Sequence, residues 1–330
     1  MKKIYYITAV FATLFLVGCG DGIDLPGVNV ETDLNKIPLP DNNVNLEQVE
    51  LKPSTEPMLH EGLHTEEDFQ RIRDKKAAGE EPWISAYQLL VESQFSQKTA
   101  DTYPTEWIKR GVSGDENYMN AARGATIVYQ QALRWKIEQD DEYAAKAVEN
   151  LNKWVQTCVG VTGNTNLSLA AGLYGYEFAI AGELLRDYGG WDRADFAAFQ
   201  NWLLKVFYPA NDDFLKRHHD TNALHYWANW CLCNIAAKMA IGIVTDRRDI
   251  YNEGIAHLQT GDTNGRLRRA IYHDYAPDYN FAQWQESGRD QGHTLMCVGL
   301  MGIICQLAWS QGDDFFAYDD NLFLRACEYA

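Results

Sequence analysis

The sequence predicts an all-α protein built from antiparallel helix hairpins, an (α/α)n toroid. Three observations predict it. Almost no stretch alternates with period two, whereas apolar residues recur at helical spacing in segment after segment, separated by short turns. The helices also fall into two kinds. Those near 166–187, 222–243 and 293–310 are apolar nearly all round and are expected to be buried, while those at 141–157, 193–207 and 247–259 are amphipathic and suit an outer layer. A right-handed helical solenoid shares this alternation. The chain lacks the fixed 34-residue period and the Trp/Leu-Gly/Tyr signature of a tetratricopeptide array, which favours the double ring.

Taken in order, Lys2-Lys3 and the apolar run Ile4–Val17 form a short leader ending in Leu16-Val17-Gly18-Cys19, which resembles the lipobox of a bacterial lipoprotein. That resemblance implies cleavage before Cys19 and its lipidation, a signal at 1–19, and a lipid-anchored place in the bacterial cell envelope, on the periplasmic or outer-membrane face. Residues 20–55, rich in Asp, Asn, Pro and Gly, read as a flexible tether, and 56–330 as the toroid domain. Thr65 caps a helix over 66–77 with acids in its first turn, and Pro82 opens the next, Glu81–Phe95. Ala121, Ala125, Val128, Ala132 and Trp135 give Glu116–Gln139 one apolar face. Ala145, Val148, Leu151 and Val155 do the same for Asp141–Thr157. Asn166–Asp187, Arg193–Phe207, Asn222–Ile243, Arg247–Gln259, His293–Ser310 and Asn321–Ala330 follow. Phe323–Ala330 stops in mid-helix without a cap, so a full ring is expected to need helices beyond it.

Composition narrows the partner. A formal charge of −17 argues against nucleic acid, while 10 Trp, 18 Tyr and 13 Phe suffice both for a core and for stacking on sugars. An anionic substrate would need a local basic lining, available from Lys216-Arg217-His218-His219 or from Arg266, Arg268 and Arg269. Cys158, Cys231, Cys233, Cys297, Cys305 and Cys327 form no CxxC pair and read as buried thiols; no metal or other cofactor is implied.

Two polar constellations stand against apolar helices. Gln283–Thr294 (QWQESGRDQGHT) packs Glu286, Arg289, Asp290, Gln291 and His293 into twelve residues immediately before a buried run. Burying such groups costs several kcal/mol unless they are paired or used; the plain alternative is a salt-bridged helix cap. In Asn222–Asn234 (NALHYWANWCLCN), helical spacing sets Asn222, His225 or Tyr226, Asn229 and Cys233 along one face. Together the two supply what β-elimination on a uronic-acid polymer requires. The C5 proton is weakly acidic until donors neutralise the neighbouring carboxylate, after which a base takes that proton and an acid protonates the departing O4. Asn222, His225, Tyr226, Arg289, Gln291 and His293 offer those functions.

From about His60 onward the chain resembles the alginate lyase family of polysaccharide lyases, in particular its envelope lipoprotein branch of alginate- and glucuronan-type enzymes. The resemblance is carried by Ala132-Leu133-Arg134-Trp135, Glu183-Leu184-Leu185-Arg186, Tyr226-Trp227-Ala228-Asn229-Trp230 and Glu286–His293, with Gln311–Asp314 and Tyr318–Asn321 adding to it. It implies an (α/α) toroid acting on an acidic polysaccharide, with Asn222 and Arg289 holding the carboxylate. The family's Asn-Asn-His stands one residue ahead of Tyr-Trp, whereas His225 abuts Tyr226, and the family's tyrosine position seven after the arginine falls on Met296. The base therefore stays open between His225 and His293. Tyr226 is the first choice of acid, ahead of Tyr275 and Tyr279. Glu286 and Asp290 are expected to orient Arg289 and His293. Trp227, Trp230 and Trp284 are expected as stacking surfaces, and Asn164, Asn166, Arg269 and Tyr279 as further lining. Two other readings compete: a toroid glycoside hydrolase pairing Glu286 with Asp220 or Asp290, and a non-catalytic glycan-binding lipoprotein.

Overall fold

Four long helices with almost no polar face make the inside of the molecule, and each is followed by an amphipathic partner running back along it. The structure, a computed structural model, describes residues 55–330. The leader, the lipidation site Cys19 and the tether up to residue 54 lie outside the described residues. In chain order the helices are α1 (Glu66–Ala77), α2 (Trp83–Glu92), α3 (Tyr118–Glu138), α4 (Asp141–Thr157), α5 (Leu167–Leu185), α6 (Arg193–Val206), α7 (Tyr208–Arg217), α8 (Ala228–Val244), α9 (Arg248–Thr260), α10 (Leu267–Ala270), α11 (Gln291–Ser310) and α12 (Tyr318–Tyr329).

The hairpins are antiparallel. Trp154 in α4 lies on Gly124 of α3, Phe199 and Phe207 lie on Gly182 and Gly175 of α5, Tyr251 of α9 closes on Gly242 of α8, and Phe323 of α12 faces Gly302 of α11. The inner helices α3, α5, α8 and α11 run parallel to one another. Tyr118 at the start of α3 stacks on Tyr174 in the second turn of α5, with ring centroids 6.5 Å apart. Gly172 of α5 meets Cys233 and Asn234 of α8, and Asn229 in the first turn of α8 meets Met296 near the start of α11, Nδ2 to Sδ 3.7 Å. The result is the expected inner ring and outer ring, with every inner helix beginning at the same end of the molecule.

Two short sheets serve that end. β1 (Trp107–Arg110) pairs in parallel with β2 (Gly160–Gly163), and β2 runs into the start of α5. Gly163 has φ +145° with the Arg110 carbonyl pressed on its Cα, a place only glycine fits. β3 (Ile271–Asp274) pairs antiparallel with β4 (Ala282–Trp284), which delivers the chain to residues 285–288. At the opposite end, residues 56–64 form a strap across the C-terminal ends of the inner helices. Leu59 exchanges hydrogen bonds with the Gln311 side chain after α11, His60 meets Asp246 after α8, Gly62 packs on Glu183 in the last turn of α5, and His64 Nε2 lies 2.6 Å from the Tyr129 hydroxyl of α3.

The expected helix over Asn222–Ile243 is corrected: it begins at Ala228. Asn222 Oδ1 accepts from Leu224 N (2.8 Å) and Asn264 Nδ2 donates to the carbonyls of Leu224 and Tyr226 (3.1 and 2.8 Å), which satisfies this backbone as a turn. The helical stripe through Asn222, His225 and Tyr226 therefore does not exist. Helix α7, carrying Pro209 in its first turn, and the four strands of three or four residues were not expected from the pattern.

One inner-helix acid has a testable consequence. Glu177 of α5 has a buried Oε2 without a hydrogen-bond partner, and burial pushes its pKa from the ordinary 4.5 up to about 8. Between those two values the unfolded chain releases a proton that the folded chain keeps, so this group lowers stability as pH rises through the window. Glu177→Gln is expected to stabilise the protein by about 3 kcal/mol at pH 7, which lies about 2.5 units above the ordinary value at 1.36 kcal/mol per unit. Thermal unfolding should show that gain shrinking towards zero at acid pH; a variant less stable than wild type at neutral pH would contradict it.

Candidate active site

The site is assembled where α5, α8 and α11 begin, so three helix N-termini turn their positive dipole ends towards one region. Glu286 ties two of those ends together. It is fully buried, its Oε1 accepts from Asn229 N at the start of α8 (3.2 Å) and lies 3.9 Å from Cys297 Sγ of α11. Gln285 Oε1 accepts from Ala228 N (3.0 Å). Oε2 of Glu286 faces Arg289 Nη1 at 3.5 Å. Burial raises the Glu286 pKa, while the hydrogen bond from Asn229 and the charge of Arg289 pull against it.

Arg289 spreads its guanidinium 5.5 Å over the Trp227 ring and keeps about a third of its side chain exposed (33 %). A flat cation resting on an indole and backed by a buried carboxylate is held in one orientation with its outer edge accessible. Asp290 is the N-cap of α11: Oδ1 accepts from His293 N (2.8 Å) and Oδ2 lies 2.6 Å from His293 Nδ1. Burial would raise the Asp290 pKa, but the backbone and side-chain bonds from His293 outweigh it and hold the carboxyl below its ordinary range. The carboxylate thus fixes the imidazole through Nδ1 and leaves Nε2 for another partner. Gln291, the first residue of α11, is exposed beside them.

Across from this cluster, the 222–227 turn places His225 in solvent and Tyr226 mostly buried. Tyr226 packs against His225, Trp230 and His219 with ring centroids 4.9, 4.7 and 5.7 Å away. Asn222 is exposed, its Oδ1 occupied by the turn. Asn166, at the start of α5, donates through Nδ2 to Asn164 Oδ1 (3.0 Å). Two turns of sequence logic thus converge, Asn222–Trp227 and Glu286–His293, joined by the Arg289–Trp227 contact.

Other expected residues stand elsewhere. Trp284 is fully buried and donates through Nε1 to the Ala326 carbonyl (2.9 Å), so it is core and offers no stacking face. Tyr279 is exposed in the β3–β4 loop against Phe281, and Tyr275 donates to Gln283 Oε1 (2.8 Å); no contact joins either to the Arg289 cluster. Arg269 is half-buried on α10, again without a contact to that cluster. The carboxylates required for a hydrolase are committed: Glu286 to α8 and Arg289, Asp290 to His293, and Asp220 to Arg217. His219, read in the sequence only as part of the basic run 216–219, has Nε2 3.0 Å from Oγ of Ser168 in α5, a residue that no spacing singled out.

A sequence model of the alginate lyase family matches residues 72–330. The chain belongs to the alginate lyase family. It is a polysaccharide lyase. Solved structures agree on the fold: an alginate lyase A1-III variant complexed with a tetrasaccharide superposes with a TM-score of 0.62 at 13% identity, over 82% of this chain and 76% of that one. An alginate lyase from Bacteroides ovatus gives 0.57 at 14% identity, covering 82% of each chain. Alginate lyase A1-III from Sphingomonas species A1 gives 0.57 at 13% identity, over 82% of this lyase and 78% of its own chain. No curated protein matches the sequence.

Proposed function

We propose that this lyase cleaves a uronic-acid polymer, alginate or a related polyuronate, by β-elimination at the mouth formed by α5, α8 and α11. The observation that carries the reading is the Trp227–Arg289–Asp290–His293 arrangement: a stacked, oriented cation beside an imidazole steered by a carboxylate. The substrate carboxylate is neutralised by Arg289, with the Asn222 amide and the helix dipoles contributing, which acidifies the C5–H bond. His293 Nε2 takes the C5 proton; His225, exposed on the 222–227 turn, is the second choice. A C4–C5 double bond forms, the C4–O4 bond breaks, and O4 receives its proton from Tyr226. Trp227 and Gln291 line the sugar path, and Glu286 holds Arg289 from behind. Tetrasaccharide bound to a similar fold supports an acidic glycan as ligand. The Cys19 sequence leads us to place the enzyme in the bacterial envelope on a lipid anchor; fatty-acid label that persists in a Cys19→Ser variant would refute this.

The test is ultraviolet absorbance of an unsaturated uronate end, followed on alginate, polymannuronate, polyguluronate and glucuronan. Saturated reducing ends instead would overturn elimination. Asp290→Asn separates the two jobs of that residue. Asparagine still caps α11, so unfolding should shift by well under about 1 kcal/mol. Without the carboxylate on His293, kcat/KM should fall roughly 10²-fold. Equal loss of stability and activity would reduce Asp290 to a cap.

A further inference from the structure

Of the basic cluster at 216–219, two members are already engaged and a third is out of reach. Lys216 pairs with Asp212, Arg217 pairs with Asp213 and Asp220, and His218 is buried with its pKa lowered by that burial. His219 differs. It is half-buried, Nε2 is fixed by Ser168 Oγ at 3.0 Å, and Nδ1 has no partner among the described residues. Its backbone is left-handed, as are its neighbours: φ is 50° at His218, 53° at His219 and 60° at Asp220. Three consecutive non-glycine residues in this region are costly. The turn is held by Thr221, whose N and Oγ1 both donate to the His218 carbonyl (3.1 and 2.6 Å), and by Arg217 on Asp220. The His219 ring lies between α7 and the first turn of α5, 5.5 Å from the Phe214 ring, hydrogen-bonded to Ser168 and 5.7 Å from the Tyr226 ring.

His219 thus contacts Tyr226, and the next residue, Trp227, carries Arg289 on its ring. A uronate chain carries one carboxylate on every sugar, so a polymer held at Arg289 presents further carboxylates on either side. We propose that His219 is a second carboxylate-binding residue, donating through its free ring nitrogen to a sugar next to the one at Arg289, with Ser168 as the residue that positions the ring. This rests on the reading of the enzyme as a polyuronate lyase.

The test is calorimetric titration with a tetrauronate, in a His293→Ala background that slows turnover. His219→Ala and His219→Phe should each weaken binding roughly tenfold, the effect of one hydrogen bond to a charged group. His219→Gln keeps an N–H donor and should stay within about threefold, and Ser168→Ala should fall between. The phenylalanine variant preserves packing on Phe214 and Tyr226, so binding at the parent level in that variant would assign the ring to packing and overturn the proposal. Unchanged binding in His219→Ala would overturn it too. A parent protein that binds no tetrauronate would instead overturn the polyuronate reading on which it rests.

Discussion

Arg289→Ala is expected to lower kcat/KM on the preferred polymer by roughly 10²–10³-fold, the loss seen when a preorganised donor to developing charge is removed. The guanidinium cannot be replaced by a generic positive charge. It reaches Glu286 with one edge while lying on Trp227, and lysine, a compact ammonium on a flexible stem, cannot do both. Arg289→Lys should therefore recover little. The alanine variant also leaves a buried carboxyl facing no cation, and Glu286 already has a raised pKa. That predicts non-additivity: Glu286→Gln placed on Arg289→Ala should restore part of the lost thermal stability but none of the activity. Activity within a few-fold of wild type in Arg289→Ala would remove the carboxylate-neutralising role.

Trp284→Ala is expected to destabilise the fold by about 3–5 kcal/mol, as removal of a fully buried large side chain does. The indole packs on Phe323 with centroids 6.1 Å apart and its Nε1 holds the Ala326 carbonyl, so α12 loosens when it goes. Strand β4 ends at this residue and passes straight into Gln285 and Glu286, so the site should lose order with it. Trp284→Phe, which keeps much of the volume, should lose far less. Chemical denaturation with a parallel KM measurement decides the point. Normal stability with a raised KM would mean that Trp284 meets sugar after all.

What could be read in advance follows from where the governing interactions lie. The helices Glu66–Ala77 and Asp141–Thr157 were legible to the residue because their caps are local: Thr65 and Asp68 close a reciprocal box, and Asp140 accepts from Glu142 N. The start of α8 was not. Asn222 and Asn264 stabilise a turn there, and Asn264 is 38 residues from Tyr226, outside any periodic window. The 286–293 knot was found because ionisable groups crowded against an apolar run are unusual. Trp227 and Trp284 could not be told apart, since burial of an indole is decided by what packs on it from α12. His219 was legible only as one member of the basic run 216–219; that it alone sets a ring nitrogen on Ser168 while Lys216 and Arg217 pair with acids depends on a left-handed backbone that carries no mark in composition.

The strap at 56–64 fixes more than helix ends. Arg248, at the start of α9, holds the carbonyls of Glu56 and Pro57 at 2.8 and 2.9 Å, so the chain reaches the folded body on the side where the inner helices finish. The Arg289–His293 mouth is on the side where they begin. Anything that attaches the protein upstream of Glu56 therefore pulls on the end of the folded body opposite the Arg289–His293 mouth.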